Sequence, residues 1–361
     1  MGGPSGEFEM VDARDISNKQ KQIAVSEFFE KNKHFLGFDS LQRSLITAVK
    51  EAVDNSLDAC EEARILPEIK VEINRQKGDD IELISQDNGP GIPRDAIENV
   101  FGKFLLGSRF HAIRQTRGQQ GIGITGVVMY AQLTTGAKTR VISKIAKESS
   151  AVFVELGLDT RKNKAIKSKE RREVWADENT GEEIAHGLKI STVMKAKYQR
   201  GKQSVFQYLR MTSIVNPHAT ITLIVKDRDG EILEDAKWIR TSEKLPRVVE
   251  EIKPHPHGIQ LGTLQRMLRE SEQNRMTSFL RHNFSGVSVR AAKELLSKSE
   301  IEENRNPKRI NSEDAKRLIN SFQEIKLLPP PTDCLSPIDD LLIKKGLSKA
   351  IDSRFASTVT R

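Results

Sequence analysis

Between residues 40 and 62 apolar side chains recur at helical spacing: Leu41, Leu45, Val49, Ala52, Val53, then Leu57 and Cys60. The spacing predicts one long helix with a single buried face, capped by Asp39 or Ser40. Ile69, Val71 and Ile73 alternate with polar residues, as do Ile81, Leu83 and Ser85. That period of two predicts a pair of half-buried strands, joined by a hairpin-type turn at Lys77-Gly78-Asp79-Asp80. After a glycine-rich stretch, residues 127–133 read as a buried helix. Further strands are expected at 140–145, 151–156, 188–193 and 219–225, with a helix at 202–214 between the last two. Strands in hairpin-like succession with interspersed helices predict an α+β sandwich, its helices on one face of a mixed sheet.

The pattern changes near residue 240. From 261 to 323 helical periodicity dominates, broken by polar turns such as His282-Asn283-Phe284-Ser285-Gly286, so a separate small helical domain is expected. Pro329-Pro330-Pro331 forms a rigid, non-helical linker. The last thirty or so residues are too few for a domain of their own. Residues 1–21 are polar, carry Gly2, Gly3, Pro4 and Gly6, and lack the apolar centre of a signal peptide; they read as a disordered leader. The expected boundaries are 1–21, 22–238, 239–326 and 327–361.

Composition narrows the function classes. Of 361 residues 30% are charged, 37% hydrophobic and only 5% aromatic, which describes a chain with a highly charged surface. Its apolar runs are too short to span a bilayer. The net charge of +8 favours a polyanionic partner such as nucleic acid. The two cysteines, Cys60 and Cys334, lie far apart, suit a reducing cytosol and form no zinc-binding cluster. Seven Lys or Arg and one acid, Glu170, fall between 161 and 172. Turn residues flank the run, which reads as a strand hairpin: either a solvated edge or a surface for DNA phosphates.

Three motifs carry candidate chemistry. In Glu51-Ala52-Val53-Asp54-Asn55-Ser56-Leu57-Asp58-Ala59, the residues Glu51, Asn55 and Asp58 share one helix face beside the apolar stripe. A carboxylate there suits a general base on water, and an amide oxygen one turn on suits Mg2+. In Asp87-Asn88-Gly89-Pro90-Gly91-Ile92, Asp87 emerges at a strand end. It is placed to accept a hydrogen bond from an exocyclic amine such as adenine N6, while Gly89 and Gly91 permit close backbone approach. Gly118-Gln119-Gln120-Gly121-Ile122-Gly123-Ile124-Thr125 runs into a helix, exposing backbone N–H groups and a positive dipole end to phosphate. It is neither a Walker A loop nor a dinucleotide fingerprint. Each motif alone is weak, but their order, spacing and context together indicate an ATP site.

That order resembles the N, G1 and G2 boxes of the GHKL (Bergerat-fold) ATPases: DNA gyrase B, MutL proteins, the ninety-kilodalton heat-shock chaperones and sensor histidine kinases. Longer strings are similar to the ATP-hydrolysing B subunit of type IIB DNA topoisomerases, the archaeal topoisomerase VI family. These are Ser26-Glu27-Phe28-Phe29-Glu30-Lys31-Asn32 with Leu36-Gly37-Phe38-Asp39, like its N-terminal strap. Phe101-Gly102-Lys103-Phe104 through Ser108-Arg109 to Arg114-Gln115-Thr116-Arg117-Gly118 matches its lid, and Tyr130-Ala131-Gln132-Leu133-Thr134-Thr135-Gly136 continues the match. Pro254-His255-Pro256-His257-Gly258 resembles the start of its helix–two-turns–helix domain, and residues 329–338 its junction with the next.

The resemblance implies a Bergerat sandwich at 22–238 with its strap, a helix–two-turns–helix domain at 239–326, and a linker with the truncated start of a transducer domain at 327–361. It implies Glu51 as general base, Asn55 as Mg2+ ligand and Asp87 with Gly89 and Gly91 at the adenine. Ser108, Arg109 and Gly118 through Thr125 (Gln119, Gln120, Gly121, Ile122, Gly123 and Ile124 between them) would form the phosphate-binding lid. ATP and Mg2+ are the implied cofactors. The implied partners are double-stranded DNA, an ATP-dependent second copy, and a DNA-cleaving A subunit in an A2B2 heterotetramer, in the cytoplasm with the nucleoid.

Two departures stand out. Where many relatives place Gly-Thr near the adenine, this chain has His186-Gly187-Leu188, and Leu188 offers no hydroxyl. The chain also ends at Arg361, where the transducer and its γ-phosphate lysine would follow. A nucleotide-dependent DNA-binding and dimerisation module without turnover is therefore the alternative. A histidine kinase would need an acceptor-histidine helix, and His34 sits in a stretch ending in the breaker Gly37.

Overall fold

The computed structural model describes residues 25–104, 113–118, 121–159, 164–178, 180–350 and 357. The expected leader, Ser108, Arg109, Gln119, Gln120 and residues 161–163 of the basic run lie outside these. The described residues fall into two compact units. One comprises 25–104, 121–159, 164–178, 180–243 and 346–350; the other comprises 113–118, 244–345 and 357.

The first unit is built on an eight-stranded mixed sheet. Its strands are β1 (Glu68–Arg75), β2 (Asp80–Asp87), β3 (Thr139–Lys144), β4 (Ala151–Asp159), β5 (Lys164–Glu173), β6 (Gly187–Lys195), β7 (Thr220–Lys226) and β8 (Ile232–Trp238), in the spatial order β5-β4-β3-β6-β2-β1-β7-β8. Only β1 and β7 run parallel. In β1, Ile69, Val71 and Ile73 are buried while Lys70, Glu72 and Asn74 are only half-buried; β2 alternates likewise. One face is therefore committed to the core, as a period-two sequence requires.

That face is covered by α2 (Leu41–Glu62) and α4 (Gly123–Thr135), with α3 (Arg94–Gly102) against β4 and β5, and α5 (Val205–Val215) against α2 and β7. Ser40 caps α2, its hydroxyl accepting from the Arg43 N–H at 3.3 Å. The stripe of Leu45, Ala48, Val49, Val53 and Leu57 is buried in the same core as Ile69, Val71, Leu83 and Val128. The short α1 (Val25–Lys31) and the turn after it bring Phe29 and Phe38 into this core. Phe38 stacks on Tyr130 at 4.9 Å and lies 5.4 Å from Phe29. The strap aromatics therefore divide: Phe29 and Phe38 pack on their own domain, whereas Phe35 is 80% exposed.

The second unit has its own core, in which Leu264, Phe279, Leu280, Leu295, Leu318 and Phe322 are buried. They come from α6 (Leu261–Glu270), α7 (Met276–Asn283), α8 (Val289–Lys298) and α9 (Ser312–Glu324). Ser288 and Asn311 cap α8 and α9, accepting from the Ala291 and Asp314 N–H groups. Residues 113–118 also belong to this unit. The Gln115 N–H donates to the Cys334 carbonyl at 2.8 Å, and the Ile252 N–H to the Ile113 carbonyl at 3.1 Å. A final helix, α10, spans Asp340–Ala350. Among the described residues no helix is long and apolar enough to cross a membrane.

Candidate functional site

β2 is an inner strand, and its last residue, Asp87, lies opposite Ile69 on one side and Leu188 on the other. Its carboxylate is buried and held by three donors. Oδ2 accepts from the Ser56 hydroxyl at 2.6 Å and Oδ1 from the Gly89 N–H at 2.9 Å, and the Leu188 backbone also donates to it. Burial pushes the Asp87 carboxyl above the usual carboxylate value, against the lowering effect of those donors and of His186. A buried acceptor with its orientation locked suits recognition of an amine edge.

The turn after Asp87 is braced from strands distant in sequence. The Ser143 hydroxyl donates to the Ile92 carbonyl and accepts from the Ile92 N–H, at 2.8 and 2.7 Å. The His186 ring meets the Gly89 carbonyl at 2.8 Å. Gly91 has φ +74°, and a Cβ there would overlap the Lys144 carbonyl, so both its conformation and the close approach require glycine. The sequence His186-Gly187-Leu188 thus supplies a ring contact to the turn and a backbone donor to Asp87. Asn88 holds the turn to β1, accepting from the Glu68 N–H at 2.8 Å and donating to the Leu66 carbonyl.

On α2, Asn55 is exposed and Glu51 is half-buried. The Glu51 side chain lies against the first turn of α4, where a Cβ on Gly123 would overlap Oε2. Ile122 caps α4 with no side-chain hydrogen bond, and Gly121 before it has φ +60°. The first N–H groups of α4 are therefore presented beside a carboxylate, at the positive end of the helix dipole. Burial raises the Glu51 carboxyl above its ordinary value; Lys50 opposes this and Asp54 adds to it. A carboxylate so poised is a better proton acceptor than one in water.

The other glycine-rich residues divide. Ile122 and Ile124 pack against the core. The Thr125 hydroxyl is buried, facing the Val100 and Lys103 carbonyls at the end of α3 at 3.3 and 3.5 Å. Gly118 belongs with the second unit, its carbonyl accepting from Thr116. For a metal, the donor set is spare: no group of three or more His, Cys, Asp or Glu gathers among the described residues. Asn55 is exposed, and its amide oxygen is a hard ligand of the kind that could contribute to holding Mg2+.

Ser56, Ser143, Asp54 and Tyr208 make contacts that sequence reasoning passed over, and His186, noted there only for the missing hydroxyl at Leu188, braces the turn. For Ser56 a signal existed: a serine within the buried stripe of an apolar helix requires a partner. For Ser143 and His186 none did, since both reach the turn through strand pairing.

Residues 40–160 match the family model described as Histidine kinase-, DNA gyrase B-, and HSP90-like ATPase. The B subunit of type 2 DNA topoisomerase 6 from Methanococcoides burtonii is 47% identical over 350 residues, covering 97% of this chain and 54% of the relative. The protein of that description from Methanosarcina acetivorans is 46% identical, covering 98% and 55%. The one from Pyrococcus abyssi is 35% identical, covering 98% of this chain and 68% of its own length. The chain thus spans about half the length of the first two.

Proposed function

The chain belongs to the family of type 2 DNA topoisomerase 6 B subunits, and from that premise we propose that it binds ATP with Mg2+ and hydrolyses it to gate the passage of duplex DNA. The observation that carries the hydrolytic part is the Glu51 carboxylate, half-buried and set against the uncapped start of α4 at Gly123. Adenine would hydrogen-bond to Asp87 above Gly89 and Gly91, and the phosphates would lie at the N–H groups of Gly121 through Thr125. Asn55 would hold Mg2+, which supplies positive charge to the phosphates. Ser108, Arg109, Gly118, Gln119 and Gln120 would complete the lid.

Glu51 then takes a proton from a water whose oxygen attacks the γ-phosphorus. The bond to the β-phosphate oxygen breaks, and ADP and phosphate leave. Glu51→Gln should retain ATP affinity by calorimetry and lose turnover by about 10²–10⁴. Normal phosphate release by that variant would remove Glu51 from the chemistry.

In the same reading the chain works in the cytoplasm with the nucleoid, in an A2B2 heterotetramer whose A subunit cleaves DNA. Residues 239–326 act as the helix–two-turns–helix domain and 327–361 open the transducer. A second copy joins when ATP binds. Phe35, an exposed strap aromatic, is the residue to probe. Sedimentation with a non-hydrolysable ATP analogue should show a dimer, weakened in Phe35→Ser; a monomer at saturating analogue would defeat the dimerisation reading.

A further inference from the structure

Lys50 precedes Glu51 on α2; neighbours on a helix do not face each other, but the long lysine stem keeps its ammonium within reach of the carboxylate. Here Lys50 Nζ stands 3.9 Å from Glu51 Oε1 but 2.8 Å from Asp54 Oδ2. The other Asp54 oxygen is also taken: the Tyr208 hydroxyl, reaching across from α5, donates to Oδ1 at 2.9 Å. Burial, with the charge of Asp54, pushes the Tyr208 hydroxyl far up, so it is a donor at any working pH. A carboxylate held at both oxygens has one orientation, and that orientation draws Lys50 to the side.

The distance matters because of what Glu51 must do. At 3.9 Å a lysine charge offsets part of the desolvation of the carboxylate. At hydrogen-bond distance it would compete with the attacking water for the carboxylate and stabilise the ionised form, making a weaker base. Among the described residues, the groups facing Glu51 are Lys50 and Asp54 from its own helix, Tyr208 from α5, and the start of α4 at Gly123, which brings a helix dipole and no titratable side chain.

We propose that Asp54 and Tyr208 are positioning residues for hydrolysis, holding Lys50 off Glu51 so that the base stays open to water. The proposal rests on the ATP-hydrolysis reading of this site. Its chemistry is unchanged from that reading; only the availability of the Glu51 lone pair is at issue.

Asp54→Asn in the full chain keeps an acceptor for Tyr208 but releases Lys50. Turnover should fall about tenfold or more with KM for ATP little changed, and Lys50→Met added to Asp54→Asn should restore most of it. A merely structural Asp54 would instead give losses that add. A second measurement does not need turnover. With glutamate 13C-labelled at the carboxyl, the resonance missing in Glu51→Gln reports that group alone. Its titration midpoint should fall by about one pH unit in Asp54→Asn and rise again when Lys50→Met is added. A midpoint unmoved by Asp54→Asn overturns the positioning role. Midpoints that move as stated in a wild-type chain without turnover would instead sink the hydrolysis reading and leave the placement of Lys50 standing.

Discussion

The nucleotide site and strand β5 are both dense in charged residues, and they handle charge in opposite ways. At the site the two carboxylates are set by burial and by close neighbours. Asp87 is locked by Ser56, Gly89 and Leu188, and Glu51 faces Gly123. On β5 nearly every side chain is exposed, and most of the charges pair with partners on the strand itself or on neighbouring elements. Arg94 from α3 grips Glu170 with two hydrogen bonds of 2.8 and 2.6 Å; with Lys167 it holds the Glu170 carboxyl down at about 2. Arg172 reaches Glu148, and Lys167 reaches Glu98 as well as Glu170. β5 is also the edge of the sheet, where charge discourages pairing with another strand. A few charges that cannot rearrange suggest chemistry, whereas many that pair locally suggest a surface kept soluble.

If that contrast is right, small changes should matter greatly at the site. The largest effect short of removing Glu51 is expected from Gly123→Ala, whose Cβ would displace the Glu51 carboxylate. A misplacement of that order costs about 10²-fold in turnover, and single-turnover phosphate release would measure it. An unchanged rate would mean that the carboxylate position seen here is not the working one.

Asp87→Ala should weaken ATP by roughly 10–100-fold, the range for a hydrogen bond to a charged group; equal calorimetric affinity would remove Asp87 from the pocket. Its ionisation carries a second test. Because burial raises the folded-state value, the stabilising contribution of Asp87 is complete below the unfolded value of roughly 4 and is lost as pH rises through the folded one. Relative to wild type, Asp87→Asn should therefore melt higher at about pH 7 than at about pH 4. A Tm difference flat across that range would show that Asp87 does not carry the charge penalty that its burial implies.

The sequence made these positions legible to different degrees. The α2 stripe and the alternation in β1 and β2 are strong periodic signals, and both ends of α2 follow from them. Helix α4 begins at Gly123, inside the glycine-rich motif and before the apolar run that suggests it, because its first turn is exposed backbone. Helix α3 was not visible: it follows Pro93 and buries only Ile97, Phe101 and Gly102. Strand β8 was not visible either, since as an edge strand it leaves Ile232 and Leu233 exposed and has no clean alternation. The three proposed site motifs stand out in the sequence because each is a contiguous string. The braces at Ser143 and His186, and the Tyr208 contact with Asp54, were not, because each spans 51 residues or more of chain.

The smallest effect, and the one that most sharpens the contrast, is expected on β5. Replacing Lys167, Lys169, Arg171 and Arg172 together by Gln would remove four positive charges. Were all four neutralising DNA phosphates, the log–log salt slope of duplex binding would flatten by roughly 3 to 4, at about 0.9 per contact. Three of them already have acidic partners: Lys167 with Glu170, Arg171 with Glu173 at 2.6 Å and Arg172 with Glu148 at 3.1 Å. Arg171 also lies over the Phe153 ring, 4.1 Å from its centroid. Lys169 alone of the four has no ion pair among the described residues. A paired side chain gains little by exchanging a carboxylate for a phosphate, so the expected flattening is about 1. Titrations of duplex between roughly 50 and 200 mM salt, values chosen from the range over which such slopes are steep, would resolve it. A flattening of about 3 or more would mean that the ion pairs open onto DNA, and that β5 is an interface whose charges only rest on their acids. No flattening would leave β5 as a soluble edge, and the turn Pro307-Lys308-Arg309 in the second unit would become the next surface to neutralise.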